Sequence, residues 1–217
     1  MRSIIEIPNC LWGPDWFNLT RSKGGGGHDA SKGCAKDWVA VGDFAHAGGV
    51  YLACIILSGN FHTVVAGEFY RSAQVSPQRL ETYQQLYGIR TIVNLRGANP
   101  QSSWYREEVA AAQRLGIAHI DFRMSAKRHL SVDQAHALLA LLKTAPKPIL
   151  VHCTSGADRS GLIAALYLAG ANGAGEHEAE SQLSIRFGHI GIPFVSRAYA
   201  MDESWEAFEP WLGFDGS

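Results

Sequence analysis

The chain has 217 residues, enough for one domain of ordinary size and an extension. Hydrophobic residues make up 47% and charged ones 18%, so a sizeable core can form, and the formal net charge of −1 excludes a global pull toward nucleic acid. Four cysteines, Cys10, Cys34, Cys54 and Cys153, show neither CxxC nor Cys/His metal spacing, so no metal site and no disulfide framework are expected. Residues 1–38 lack any clear period and contain a Gly24–Gly27 spacer, which marks a poorly ordered extension. Their start does not have the basic-then-apolar order of a signal peptide. Residues 39–58 are apolar except for Asp43 and His46. This window just reaches the ~20 residues of a membrane span, with Lys23, Lys32 and Lys36 in front favouring an N-in orientation. A buried or interfacial helix fits it equally well. Localisation therefore stays open between the cytoplasm and a membrane anchored through residues 39–58.

From residue 61 onward the signals are regular, and residues 59–217 read as the catalytic domain. Phe61 to Ala73 reads as two short strands around Ala66-Gly67-Glu68. Ser76-Pro77 opens a helix that Gly88 stops. Ile89 to Leu95 is a strand, Ser103 to Gly116 a helix, and Ile117 to Met124 a further strand. Ser131-Val-Asp-Gln134 forms a capping box for a helix through Leu142, and Ile149 to His152 is the last buried strand. Three more helices are expected, from Arg159 to Ala171, Glu176 to Phe187 and Ser196 to Phe208. Strands alternating with helices predict an α/β fold with a mostly parallel, covered sheet.

The segment His152-Cys-Thr-Ser-Gly-Ala-Asp-Arg-Ser160 carries the chemistry. A strand leads into it and a helix leads out. A loop of this length can turn its backbone N–H groups inward as a nest for a tetrahedral oxyanion, with the helix N-terminus behind it. Thr154, Ser155, Gly156, Ala157, Asp158, Arg159 and Ser160 are the candidate phosphate-binding residues. Gly156 permits the sharp turn. The same field favours the thiolate of Cys153, the nucleophilic form. The Arg159 fork can grip two phosphate oxygens and stabilise the transferring group. Ser160 is placed to hydrogen-bond the sulfur, and His152 to orient the loop. A plain strand–helix turn with a buried Cys would account for neither Arg159 nor Ser160.

His-Cys-x-x-Gly-x-x-Arg-Ser resembles the phosphate loop of cysteine-dependent tyrosine and dual-specificity phosphatases. Glu68 to Gln74 and Ile89 to Arg96 are similar to segments of the compact atypical dual-specificity group of bacteria, plants and fungi. The likeness spans roughly residues 61–190. It implies a four- to five-stranded sheet with helices on both faces, a phosphocysteine intermediate hydrolysed by water, and no cofactor or metal.

The reaction needs a general acid. Many relatives place an Asp on a loop some thirty residues before the Cys, where this chain offers Ser125. Asp121 has about that spacing but is expected inside a strand, so Asp158 is the favoured acid and Asp121 the alternative. Arg96, Lys127, Arg128 and His129 are expected to form a basic rim at the carboxyl ends of the strands. The expected partner is a phosphorylated protein or a small anionic phosphoester, not nucleic acid. A phosphorylated protein side chain is the default, with phosphotyrosine ahead of phosphoserine and phosphothreonine only if the pocket is deep. The missing Lys in the loop weakens, without removing, an inositol phosphate or phosphoinositide substrate. A phosphate-binding pseudo-enzyme is the remaining alternative. A rhodanese-like sulfurtransferase would have the Arg one residue closer to the Cys.

Overall fold

Alternation within four-residue strands divides the core into two layers. On β2 (Phe69–Ser72), β3 (Thr91–Asn94) and β5 (Ile149–His152), neighbouring side chains face opposite sides of one sheet. Phe69, Val93 and Val151 pack with Leu138, Leu162, Trp205 and Phe208 on one face. Tyr70, Ile92 and Leu150 pack with Leu80, Ala111 and Ile117 on the other. With β1 (His62–Val65) and β4 (Ala118–Asp121) the sheet has five strands in the order β1-β2-β5-β3-β4. Among the described residues only β1 runs antiparallel to its neighbour. The α/β fold with a mostly parallel sheet is as expected.

These features come from a computed structural model that describes residues 49–214 apart from 52 and 56. All of them belong to the unit Ala45–Ser217. The expected extension at 1–38 and the first part of the 39–58 stretch lie outside the described residues. Residues 49–51, 53–55 and 57–58 are helical (α1). Among the described residues no helix is long and apolar enough to cross a membrane. The end of α1 instead leans on the domain. Tyr51 donates to the Arg186 carbonyl at 2.6 Å, and the Leu57 carbonyl accepts from Arg79 Nη2 at 2.7 Å.

The caps behave as their sequences predict. The Ser76 hydroxyl accepts the Arg79 N–H at the start of α2 (Pro77–Tyr87), and Gly88 closes the helix in the left-handed region. Helix α3 covers Ser103–Leu115, and α4 (Val132–Thr144) has the full Ser131–Gln134 capping box. Helix α5 (Asp158–Asn172) starts inside the phosphate loop.

Three expectations need correction. Strand β4 stops at Asp121 rather than Met124, because its partner β3 ends opposite, at Asn94. Helix α6 is only Glu176–Glu180, followed by a 3-10 turn at Ile185–Phe187. Arg71 takes both the backbone carbonyl and the side-chain oxygen of Gln182, at 2.8 and 3.1 Å, and so draws this segment out of helical pairing. The last helix, α7, covers Ala200–Leu212, four residues beyond the expected end, with a 3-10 turn at Arg197–Tyr199 before it.

Candidate active site

The sheet order puts β5 between β2 and β3, so Cys153 leaves the middle of the sheet at its carboxyl edge. Ser72, His152 and Asn94 lie side by side there. Cys153 is buried, and its sulfur lies 3.3 Å from the Gly156 N–H and 3.5 Å from the Ser160 hydroxyl. Both contacts suit a negative sulfur, the second at the residue expected to hydrogen-bond it, Ser160.

Four consecutive loop carbonyls are held from outside. The Thr154 carbonyl accepts from the Gln74 N–H at 3.3 Å, and the Ser155 carbonyl from Asn60 Nδ2 at 2.9 Å. The Gly156 and Ala157 carbonyls both accept from Arg71 Nη2, at 2.9 and 2.8 Å. In a trans peptide the N–H points opposite its C=O. Pinning the carbonyls outward therefore turns the following N–H groups into the cradle. Gly156 sits at φ +75°, and a Cβ there would lie 2.5 Å from the Ala73 nitrogen. Gly161 similarly leaves room for Arg71 and the Gln182 carbonyl.

Arg71 is fully buried, with its guanidinium 4.4 Å above the Phe187 ring. Burial lowers it to about 10, against the opposing pull of Cys153 and Asp158, so it stays a cation at neutral pH. It thereby places a fixed positive charge beside Cys153. Sequence reading did not single out Arg71. The available signal was a guanidinium in the middle of a strand, Phe-Tyr-Arg-Ser, whose four residues are all buried.

Arg159 Nη2 donates to the Thr154 hydroxyl at 3.0 Å and Nη1 reaches the Met124 carbonyl at 3.5 Å. Its Nε is buried and has no partner among the described residues. A buried N–H of this kind is costly unless something accepts it. A phosphate oxygen in the cradle would do so.

His152 is fully buried, with Nε2 3.2 Å from Glu108 Oε1. Glu108 also meets His119 at 2.9 Å and accepts from Gln74 Nε2. Burial pushes its carboxyl up, but the hydrogen bonds from His119 and His152 outweigh this and bring it down to about 2. A depressed carboxylate stabilises the fold above its unfolded value of 4.5, and that contribution fades as pH falls toward about 2. The stability advantage of the wild type over Glu108→Gln is thus expected to be full above 4.5 and to close below it. Urea unfolding across that range measures this.

The two candidate acids stand apart. Asp121 ends the edge strand β4, two strands from β5, and both its oxygens are engaged. Oδ1 accepts from Asn94 at 2.8 Å and Oδ2 from the Tyr105 hydroxyl at 2.6 Å, a bond that pushes Tyr105 up to about 12. Asp158 stands in the loop itself, and its Oδ1 lies 2.8 Å from His189 Nδ1. Of the expected rim, Arg96 is fixed by stacking on Trp104 at 3.6 Å and by donating to Gln74 at 2.7 Å. Burial lowers Arg96, with Arg159 adding to the effect. Lys127, Arg128 and His129 are exposed.

Beside the loop lies a cavity of about 480 Å³. Ile55, Ala73, Ala157 and Phe187 give it an apolar wall, and Gln74 and Arg79 add polar groups.

A profile of the tyrosine phosphatase family matches residues 56–177, more than half of the chain. The chain belongs to the tyrosine phosphatase family. This phosphatase has the same fold as P. aeruginosa TpbA, with 21% identity and a TM-score of 0.54 over 68% of this chain and 84% of TpbA. Another TpbA structure, of a Cys-to-Ser variant, holds phosphotyrosine. The catalytic core of Siw14 from S. cerevisiae, a PP-IP phosphatase, is 20% identical, with a TM-score of 0.52 over 65% of this chain and 83% of Siw14. Tk-PTP is 17% identical, with a TM-score of 0.52 over 68% of this chain and 97% of its own. No curated protein matches the phosphatase.

Proposed function

We propose that this phosphatase hydrolyses aryl phosphate monoesters, with the phosphotyrosine side chain as the model substrate, through a phosphocysteine on Cys153. The observation that carries this is the buried, unpartnered Nε of Arg159 in the same loop as a thiol that already receives the Gly156 N–H. The Cys153 thiolate attacks phosphorus, and the inward N–H groups and Arg159 take the charge of the equatorial oxygens. Asp158 protonates the leaving oxygen, and Ser160 stabilises the sulfur when water later displaces it. His152, tied to Glu108, holds the base of the loop in place. The apolar cavity beside Ala157 suits a phenyl ring better than a short alkyl chain. A second reading, a multiply phosphorylated small molecule such as an inositol phosphate, draws on Arg96, a second fixed cation near Arg159.

The full chain assayed against phosphotyrosine peptides, phosphoserine peptides and inositol phosphates separates these readings. Aryl phosphate that is bound but never turned over would make the protein a phosphate-binding module. Asp158→Asn is expected to slow esters of poor leaving groups by roughly 10²–10⁴-fold and to spare good ones, the pattern of a lost general acid. Equal slowing of both classes would return the role to Asp121.

A further inference from the structure

We propose that His189, clamped by Asp202, holds the proton that Asp158 delivers to the leaving oxygen. The inference rests on Asp158 being the acid. A lone aspartate carboxyl is ionised at neutral pH and has no proton to give. Asp158 is not alone. His189 Nδ1 lies 2.8 Å from its Oδ1, and His189 Nε2 lies 3.0 Å from Asp202 Oδ2 and 3.2 Å from Oδ1. The imidazole is buried, whereas about a quarter of the Asp158 side chain is exposed. Asp202 at the far end is about a quarter exposed as well, so only the imidazole between the two carboxylates is sealed in protein.

Both carboxylates in contact with this imidazole favour its protonation. Asp158 comes from α5 and Asp202 from α7. Arg71 on β2 faces Asp158 from behind the loop. His129, beyond β4, pairs with Glu203, the neighbour of Asp202, at 3.4 Å. Burial alone would lower His189, but the hydrogen bonds to Asp158 and Asp202 raise it to about 9. A raised value means the proton is held through neutral pH and lost only as pH climbs toward about 9.

The step balances. As the Sγ–P bond forms and the P–O bond to the leaving group breaks, the leaving oxygen takes a proton from the Asp158 carboxyl. That proton comes from His189 Nδ1 by way of the ionised Asp158, which ends as a carboxylate beside a neutral imidazole whose Nε2–H still bonds Asp202. In the second step the attacking water returns its proton through Asp158 to His189. His189 touches neither substrate nor thiol, so it is a positioning residue acting through Asp158.

The test compares aryl phosphates with graded leaving phenols on the full-length wild type, Asp158→Asn, His189→Gln and Asp202→Asn. His189→Gln is expected to slow poor leaving groups by about 10- to 100-fold and good ones by less than about 3-fold, with no further slowing when combined with Asp158→Asn. For poor leaving groups, the alkaline limb of the wild-type pH–rate profile is expected near 9, and the limb of His189→Gln on its acid side. Equal slowing of both classes by His189→Gln, or no slowing, with Asp158→Asn still selective, overturns the role of His189 alone. An unselective Asp158→Asn overturns the acid assignment and this proposal with it. If His189→Gln fails to fold, Asp202→Asn keeps the ring and supplies the same comparison.

Discussion

Cys153→Ser is expected to abolish turnover, by on the order of 10⁵-fold or more, while leaving oxyanion binding nearly intact. A serine hydroxyl is a far weaker nucleophile than a thiolate and a poorer group for water to displace. The carbonyl anchors of the cradle do not involve the sulfur, however. The carbonyls are tied to Gln74, Asn60 and Arg71, none of which the substitution touches. Tungstate titration by calorimetry should give a dissociation constant within a few-fold of the wild type, beside a flat progress curve with an aryl phosphate. Residual turnover within a hundredfold of the wild type would exclude a phosphocysteine. Loss of tungstate binding would mean that the thiol helps to shape the loop.

Arg71→Met should be nearly as damaging, although Arg71 lies behind the loop. Methionine can fill much of the space but donates nothing to the Gly156 and Ala157 carbonyls. The buried Gly156 carbonyl loses its charged donor while the Ala157 carbonyl keeps only the Gly161 N–H, which costs roughly 1–3 kcal/mol for the unsatisfied group. Released from outside, the peptides can rotate, and their N–H groups no longer converge on a single point. Both the unfolding midpoint in urea and the affinity for tungstate are expected to fall. Arg71→Lys should recover part of the stability and little of the binding, because an ammonium cannot reproduce the planar fork that spans Gln182 and the loop. A stable Arg71→Met variant with normal tungstate affinity would show that the loop shapes itself.

The contrast between Cys153 and Arg71 marks what was legible in the sequence. Cys153, Gly156, Arg159 and Ser160 lie within eight consecutive residues, so their proximity is written in the sequence itself. The Ser131 capping box and the Gly88 stop are equally local and appear as read. Arg71 and Asn60 reach the loop only because β2 pairs with β5, a choice made by the whole sheet. Glu108 is a carboxylate on the buried face of α3 with Ala111 and Ala112, a break in the apolar pattern that was open to notice. His189 gave no comparable sign. It follows a 3-10 turn that replaces an expected helix, and that replacement follows from Arg71 binding Gln182. Asp121 also needed the structure, because the end of β4 is set by the length of β3.

The outward anchoring of four successive loop carbonyls also bears on the thermodynamics of binding. A flexible loop would have to lose its freedom each time a phosphate arrived, at about 1–2 kcal/mol for every residue fixed. Here that entropy has been surrendered once, when the sheet and its buried guanidinium came together. An incoming oxyanion meets N–H groups that are already aimed, and little of its binding energy is diverted into ordering the protein.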